Sequence, residues 1–340
     1  MNFRSSPLIE HQYIRRQTGE IETERLIADR IVNRIYCPAR EKPGRLFELL
    51  TSSRVSKLLG LVQFDLRLGP AWRRNGSLAS FGIDWSETLD PPESMRTLRD
   101  VFERKIRYWE CRPMDADPRV VVSPADSRVL LGSFRETSCL VLKEKFFDYV
   151  ELIGSEKANW LEAFELGDFA VFRLTPDKYH YNHTPVAGEV LDLYEIPGDY
   201  HSCNPGAVVN AVTPYSKNKR VVTILDTDVA RGSGVGLVAM IEIVALMIGD
   251  IVQCYSEEHY DDPKPVRKGM FLGKGMPKSL YRPGSSTDVL LFQAGRMRFS
   301  MDLLENMHRP GASSRFSAGF GRPLVETDLK VRSTIGVAIR

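Results

Sequence analysis

The sequence predicts an α+β fold in which a helical segment of about 110 residues precedes a β-rich body. Two observations predict it. Apolar residues recur at helical spacing before residue 110, and short β-branched runs alternate with turn residues after Pro118. The composition is that of a folded chain, because 43% of the 340 residues are hydrophobic and 26% are charged. We therefore expect a helical domain over residues 1–110 and a β-rich domain over residues 111–340.

Three one-sided apolar stripes predict the helical segment. In the first, Ile27, Ile31 and Ile35 recur every four residues. The second stripe lies within residues 46–59 and the third within residues 95–106. Each stripe is typical of an amphipathic helix, whose apolar face packs on a protein core or enters a lipid surface.

Runs of Val, Ile, Leu and Phe between turn residues predict the β-rich body. One helical piece, residues 160–166, interrupts these runs. The predicted strands lie within residues 120–122, 128–131, 168–174, 186–196, 220–225 and 289–299.

Charge is distributed unevenly along the chain. Residues 1–60 contain 11 Lys and Arg against 7 Asp and Glu, whereas the formal net charge of the whole chain is only +2. The small total argues against a nucleic-acid-binding protein. A basic amphipathic segment is typical of a helix that lies in a membrane interface, while packing of the same stripes on the β-rich body explains them equally well.

No stretch of the sequence has the length and apolar character of a membrane span. The most apolar stretch, residues 235–249, contains Glu242 and is followed by Asp250. The N-terminus lacks the apolar core of a signal peptide. We therefore expect a peripheral membrane protein on the cytoplasmic side, and the five widely spaced cysteines fit reduced thiols.

Three short stretches carry candidate chemistry. In SPADSR, Asp126 would by itself be an ordinary turn residue. In YHYNHTPVAG, His180 and His183 stand three residues apart. No third ligand has suitable spacing for zinc, so proton transfer is the favoured interpretation and no metal is predicted. The third stretch, RPGSSTDVLLF, is a turn of small hydroxyl residues that leads directly into an apolar strand.

In this order, the three stretches resemble the phosphatidylserine decarboxylase family, whose members process themselves and carry a pyruvoyl group. The opening RYWECRPMDADPRVVVSPAD, the IPGD at residues 196–199, the run VAMIEIVALMIGDIVQCYS and the V-x-K-G-x-x-x-G pattern at residues 266–273 also match. The resemblance covers roughly residues 100–300. It implies a carboxy-lyase that converts phosphatidylserine to phosphatidylethanolamine and CO2.

The resemblance also implies roles for four side chains. The serine of self-cleavage corresponds to Ser286, and its acid and base partners correspond to Asp126 and His183. Together they form an Asp/His/Ser set in which the nucleophile attacks its own backbone, with Asp126 fixing the tautomer of His183. His180 is the expected substrate contact or proton donor.

Self-cleavage is implied at the bond between Ser285 and Ser286, with the bond between Gly284 and Ser285 as the alternative. The products would be a β chain, residues 1–285, and an α chain, residues 286–340, which stay together as a heterodimer. Ser286 would become the covalent pyruvoyl cofactor. That group would form a Schiff base with phosphatidylserine in a membrane surface and accept the electron pair left by CO2.

Two departures from the family pattern leave other functions open. Ser127 and Ser285 each stand where the family usually has Gly. A chain that neither cleaves itself nor releases CO2 would be a non-catalytic lipid-binding relative. An intact Asp/His/Ser triad would instead make a serine hydrolase, although Ser286 lacks the G-x-S-x-G turn of that class.

Overall fold

The structure is a computed structural model. Two of the three predicted helical stripes fall within residues 27–59 and lie outside the described residues, apart from Asp29 and Tyr36. Ser285 also lies outside them. The described residues are 9–26, 29, 36, 82–135, 146–211, 213–245, 250–284 and 286–339.

A ten-stranded sheet forms the centre of the described structure. In spatial order its strands are β11 (Phe271–Leu272), β7 (Gly188–Ile196), β8 (Arg220–Asp226), β9 (Leu237–Val244), β13 (Ser286–Phe292), β5 (Asp168–Leu174), β4 (Ser127–Ser133), β15 (Glu326–Leu329), β1 (Gln12–Arg15) and β2 (Glu20–Thr23). β9, β13 and β5 are almost continuously buried, which explains why their sequences read as unbroken apolar runs. All neighbouring pairs are antiparallel except β1 and β15.

Two smaller sheets accompany the main one. Their strands are β10 (Ile251–Gln253), β12 (Pro277–Tyr281) and β6 (Tyr181–His183) in the first, and β14 (Met297–Phe299), β16 (Thr334–Ala338) and β3 (Val120–Val122) in the second. The first small sheet packs on the main sheet, because Lys278 of β12 binds Glu242 of β9 and Tyr281 of β12 binds Asp288 of β13. These contacts place β6, which carries His183, over the beginning of β13.

Short helices connect the strands. Their bounds are Trp85–Glu87 and Pro92–Ser94, both 3-10 helices, and Leu98–Phe102, Tyr108–Cys111, Tyr149–Ile153, Ala158–Phe164, Pro205–Asn210, Pro214–Lys217, Met301–Met307 and Arg315–Phe320. The helix Leu98–Phe102 begins with a capping box between Thr97 and Asp100 and buries Val101 and Phe102, as its apolar stripe predicts. Among the described residues, no helix combines the length and apolar character needed to cross a bilayer.

The predicted α+β class is confirmed, and so are the predicted strands of the body. The prediction for residues 168–174 coincides with β5 (Asp168–Leu174). The predicted run 289–299 is two strands rather than one, because Gly295, with a φ of 71°, makes a turn between β13 and β14. The helical piece predicted at residues 160–166 is the helix Ala158–Phe164.

The helical prediction is wrong for the described start of the chain. Residues 12–23 form a β-hairpin of β1 and β2, and β1 adds to the main sheet beside β15. A buried ion-pair network holds the hairpin there: Glu24 binds Arg173 at 2.6 Å, and His11 binds Glu326 at 2.8 Å. Strands of four residues are too short for a sequence pattern to reveal, and the partner strand lies more than 300 residues away.

Candidate active site

Ser286 is the first residue of β13 and lies between β5 and β9. It pairs in register with Leu174 on one side and Val244 on the other. Its side chain is 1% exposed, and its Oγ has no hydrogen-bond partner among the described residues. Gly284, two residues before Ser286, has a φ of 145°, a backbone angle that side-chain-bearing residues rarely adopt. A tight turn therefore delivers the chain into the sheet at the predicted cleavage site.

Asp126 is buried at the start of β4 and is held by an arginine. Its two carboxylate oxygens accept hydrogen bonds from Arg112 at 3.0 and 2.7 Å, and the N–H of Val331 donates a third at 2.7 Å. Burial alone would raise the pKa of Asp126, but the Arg112 guanidinium outweighs it, so the pKa lies below its ordinary value. Asp126 is therefore an anion.

His183 is fully buried, and both of its ring nitrogens are engaged. Nδ1 lies 2.8 Å from the carbonyl oxygen of Gly275, which can only accept, so Nδ1 carries the proton. Nε2 lies 2.9 Å from the hydroxyl of Tyr179. Burial lowers the pKa of His183 to about 3, so the ring is neutral.

The expected hydrogen bond between Asp126 and His183 is not formed, and the prediction that Asp126 fixes the tautomer is wrong. The Gly275 carbonyl fixes it instead. The reason is competition: a bidentate guanidinium is a stronger partner for a buried carboxylate than a neutral imidazole is. The two residues still belong to one site, because the N–H of His183 donates to the carbonyl of Pro124 at 2.7 Å.

The three motifs converge at one end of the main sheet. Ala125 of the first motif packs with Leu174 and Tyr281, and Leu174 is the register partner of Ser286. Tyr281 joins the second motif to the third, because its N–H donates to the His180 carbonyl at 3.1 Å and its hydroxyl donates to Asp288 at 2.7 Å. The structure thus brings the predicted site residues together, although the side chains of Asp126, His183 and Ser286 share no hydrogen bond.

His180 lies in an apolar environment. Its ring is fully buried and stacks on Phe102 with 3.5 Å between ring centroids. Neither ring nitrogen forms a hydrogen bond of ordinary geometry with a described residue. Burial, with Arg104 nearby, holds the pKa of His180 well below its usual value, so this ring is also neutral.

Comparison with known proteins identifies the family. The family model described as phosphatidylserine decarboxylase matches residues 98–318, which is more than half of the chain. The chain belongs to the phosphatidylserine decarboxylase family. This confirms the resemblance carried by the three motifs, and the matched region contains the four predicted site residues Asp126, His180, His183 and Ser286.

Individual members of the phosphatidylserine decarboxylase family match along most of their length. The phosphatidylserine decarboxylase proenzyme of Fusobacterium nucleatum is 29% identical over 300 residues, which cover 87% of this chain and 91% of the relative. The proenzyme of Bordetella petrii is 30% identical over 262 residues, 72% of this chain and 86% of the relative. The proenzyme of Chlamydia trachomatis is 29% identical over 316 residues, which cover 90% of this chain and 98% of the relative.

Against this family background, the structure adds site residues that the sequence analysis did not assign. Arg112 and Gly275 orient Asp126 and His183, and Tyr179 and Tyr260 continue the hydrogen bonding from His183. The charged composition of residues 257–265 is typical of a solvated loop, yet Tyr260 within it is only 6% exposed. Nothing in the local sequence could reveal this, because the hydrogen-bond partner of Tyr260 is 81 residues away.

A second buried polar group lies on the same face of β13 as Ser286. Asp288 is two residues along the strand, where side chains return to the same face. Its neighbour in register is Glu242, which binds Lys278 at 2.7 Å and Gln253 at 2.9 Å. Burial, followed by the negative charge of Glu242, holds the pKa of Asp288 well above its usual value.

Among the described residues, one set of three side chains could hold a metal ion: His11, Glu24 and Glu326. It lies at the N-terminal hairpin. Arg173 binds both carboxylates, at 2.6 and 2.5 Å, which neutralises the negative charge that would attract a cation. We therefore interpret this cluster as the ion-pair clamp of the hairpin.

Proposed function

We propose that this chain converts phosphatidylserine to phosphatidylethanolamine and CO2, using a pyruvoyl group that it makes from Ser286. The observation that carries the proposal is the position of Ser286. Its buried Oγ, which has no partner in the described part of the chain, follows a glycine turn at the point where the three motifs of the phosphatidylserine decarboxylase family meet. The names of the relatives, which are proenzymes, support a precursor that is processed.

Self-cleavage starts with Ser286 Oγ, which loses its proton and attacks the carbonyl carbon of residue 285. The peptide C–N bond breaks as the acyl group moves to oxygen, so an ester replaces the amide. Loss of the proton on the Ser286 Cα then expels residue 285 as a carboxylate. The remaining enamine becomes an imine, and water releases its nitrogen as ammonia and leaves a ketone.

The described residues fit this chemistry. His183 is neutral and therefore able to take a proton, and Asp126 is an anion that favours positive charge nearby. His180 is buried and neutral, so it could accept a proton first and then pass that proton to a carbanion. The pyruvoyl group would supply a carbonyl for the substrate amine and a sink for the electron pair released with CO2.

The cleaved chains would stay together as a heterodimer. Residues 286–340 contribute β13, which lies between β5 and β9 of the other chain, and β15, which lies between β4 and β1. Val289, Leu290, Leu291 and Phe292 of β13 are all 0% exposed. Separating the chains would expose these side chains and break two complete rows of strand pairing.

Action at the cytoplasmic side of a membrane, as a peripheral protein, is also part of the proposal. Phosphatidylserine is an anionic membrane lipid, and residues 1–60 carry an excess of 11 basic over 7 acidic side chains. The stripes predicted to enter the interface lie within residues 27–59, almost entirely outside the described residues.

The serine hydrolase alternative finds no support in the comparisons, because the family model and the three relatives are those of phosphatidylserine decarboxylase. Ser286 also lacks the G-x-S-x-G turn of serine hydrolases. The non-catalytic alternative was suggested by Ser127 and Ser285. The backbone of Ser127 has no positive φ, so a glycine is not required there, and Ser285 lies outside the described residues.

Intact-mass measurement under denaturing conditions tests the proposal. The purified chain should appear as two species, residues 1–285 and a fragment of residues 286–340 with a blocked N-terminus. Ser286→Ala should remain one inactive chain. Ser285→Ala is the matched control and should still be cleaved.

Cleavage of Ser286→Ala together with loss of cleavage in Ser285→Ala would move the bond to Gly284–Ser285. A wild-type chain that stays intact, with no carbonyl that hydrazine reagents trap, would refute self-processing. Cleaved protein that releases no CO2 from phosphatidylserine vesicles would refute the decarboxylase.

A further inference from the structure

A chain of buried hydroxyl groups leads away from His183. Nε2 of His183 lies 2.9 Å from the Tyr179 hydroxyl, which lies 2.6 Å from the Tyr260 hydroxyl. The Tyr260 hydroxyl lies 3.0 Å from the carbonyl oxygen of Ile106. All three side chains are buried, with exposed fractions of 0%, 1% and 6% for His183, Tyr179 and Tyr260. The chain of contacts therefore starts at the proposed base and ends at a backbone acceptor.

When His183 is neutral, there are too few protons for every contact in this series to be a hydrogen bond. Three contacts each need one proton: imidazole to Tyr179, Tyr179 to Tyr260, and Tyr260 to Ile106. The neutral imidazole uses its only proton on Gly275, because that carbonyl can only accept. The two phenols then supply two protons for three contacts, and one contact always lacks a proton.

A second proton on His183 completes the chain. The N–H at Nε2 would donate to Tyr179, Tyr179 to Tyr260, and Tyr260 to the Ile106 carbonyl, so that every contact is a hydrogen bond. The phenols do not lose protons themselves, because burial holds the pKa of Tyr179 and of Tyr260 well above the usual value. These hydrogen bonds thus offset part of the burial that disfavours the imidazolium, without creating a phenolate.

We propose that Tyr179 and Tyr260 are positioning residues for self-cleavage, which free Nε2 of His183 to accept the Ser286 proton and then hold the imidazolium that results. This inference rests on the proposed self-cleavage. Before the step, Tyr260 donates to Ile106 and Tyr179 donates to Tyr260, which leaves the Nε2 lone pair open. In the step, the O–H bond of Ser286 breaks and its proton moves to Nε2. The oxygen's electron pair forms the C–O bond to the carbonyl carbon of residue 285, and the C=O π pair moves onto the carbonyl oxygen.

The backbone around Tyr260 supports a functional placement. His259, Tyr260 and Asp262 have φ values of 46°, 70° and 42°, in the left-handed region that costs a side-chain-bearing residue about 1–2 kcal/mol. The Ser256 hydroxyl holds the loop by contacting the carbonyl oxygens of Glu258, at 3.0 Å, and Asp261, at 2.6 Å. Three such residues within four positions place one phenol inside the protein, which is unusual for a loop that serves only as a connection.

The test compares two buried tyrosines of the same cluster. Tyr260→Phe removes a hydroxyl of the chain and keeps the ring. Tyr181→Phe is the matched control, because the Tyr181 ring stacks on Tyr179 at 5.6 Å while its hydroxyl bonds no described residue. Processing is followed by intact mass after rapid purification of the precursor.

Tyr260→Phe should slow processing about tenfold to a hundredfold, because a hydrogen-bond partner of a developing charge is lost. Tyr181→Phe should process within about twofold of the wild type. In mixtures of H2O and D2O, a plot of the wild-type processing rate against the deuterium fraction should be curved, because several protons change partner in the step. The Tyr260→Phe rate should follow a straight line.

Equal rates for the two variants, or the same curve in Tyr260→Phe as in the wild type, would overturn the inference and leave Tyr260 as a packing residue. If Tyr260→Phe does not fold, Tyr179→Phe tests the same chain with the same expected slowing and the same loss of curvature. Failure of the proposed function itself is distinct, because it appears as an uncleaved wild-type chain or a cleaved Ser286→Ala.

Discussion

Substitution of Asp288 measures how strongly the buried face of β13 disfavours a negative charge. Its carboxyl group is 0% exposed; Oδ1 accepts from the Tyr281 hydroxyl at 2.7 Å, and Oδ2 has no partner among the described residues. Glu242 stands opposite it and is paired with Lys278 at 2.7 Å. Burial and the nearby carboxylate raise the pKa of Asp288, so the folded protein keeps this group protonated.

The sign of the effect follows from proton binding. In the unfolded chain an Asp releases its proton near pH 3.9, whereas folded Asp288 retains it to much higher pH. Above that unfolded value the folded state binds one more proton, so the free energy of unfolding falls as pH rises, by about 1.4 kcal/mol per pH unit. Asp288→Asn is neutral in both states and lacks this loss. Relative to the wild type, its stability should therefore increase as pH rises above about 3.9, by at most about 1.4 kcal/mol per pH unit and until folded Asp288 itself loses its proton.

The assay is urea unfolding at pH 5, 6 and 7 in the Ser286→Ala background, where the chain stays intact and unfolding is unimolecular. Asp90→Asn, at an exposed position without an ion pair to described residues, is the matched control and should show no such trend. A stability difference between Asp288→Asn and its parent that is constant across pH would refute the argument, as would one that decreases as pH rises. In the cleaving background, Asp288→Asn should still process, because a neutral amide replaces a neutral acid of the same shape.

Two further predictions concern the buried ion pairs. Lys278→Met should lower the free energy of unfolding, measured in urea, by about 3–5 kcal/mol, because Glu242 is left charged and buried. Adding Glu242→Gln should recover much of that loss. Equal stability of the single and double variants would contradict this. Arg112→Ala should lower the free energy of unfolding by a similar amount and should slow processing, because Asp126 loses its bidentate partner. Arg112→Lys should restore part of the processing rate. Wild-type processing in Arg112→Ala would show that the orientation of Asp126 is dispensable.

Local patterns were sufficient for much of the fold. β5 was predicted residue for residue, because a central strand buried on both faces reads as a continuous apolar run between turn residues. The capped helix Leu98–Phe102 was predicted for the same kind of reason. The order of the three motifs was enough to predict the family that the comparison confirms.

The details of the site were not available from such patterns. The sequence analysis paired Asp126 with His183, but folding offers Asp126 the stronger guanidinium of Arg112 and offers His183 the carbonyl of Gly275. Tyr260 stands among charged residues, a composition typical of a solvated loop, and only the folded chain brings it beside Tyr179. In each case the deciding contact joins residues that the local sequence does not relate.

By itself, the sequence predicted the strands β3, β4, β5, β7, β8, β13 and β14 and the family that the comparison confirms, since apolar runs, turn residues and motif order are local features of the sequence. Only the tertiary structure decided that the N-terminal hairpin joins the sheet beside β15, and which partner each buried acid, imidazole and phenol binds. The physical reason is competition. A buried polar group takes the best partner within about 3 Å, and that set of neighbours exists only after distant strands have packed.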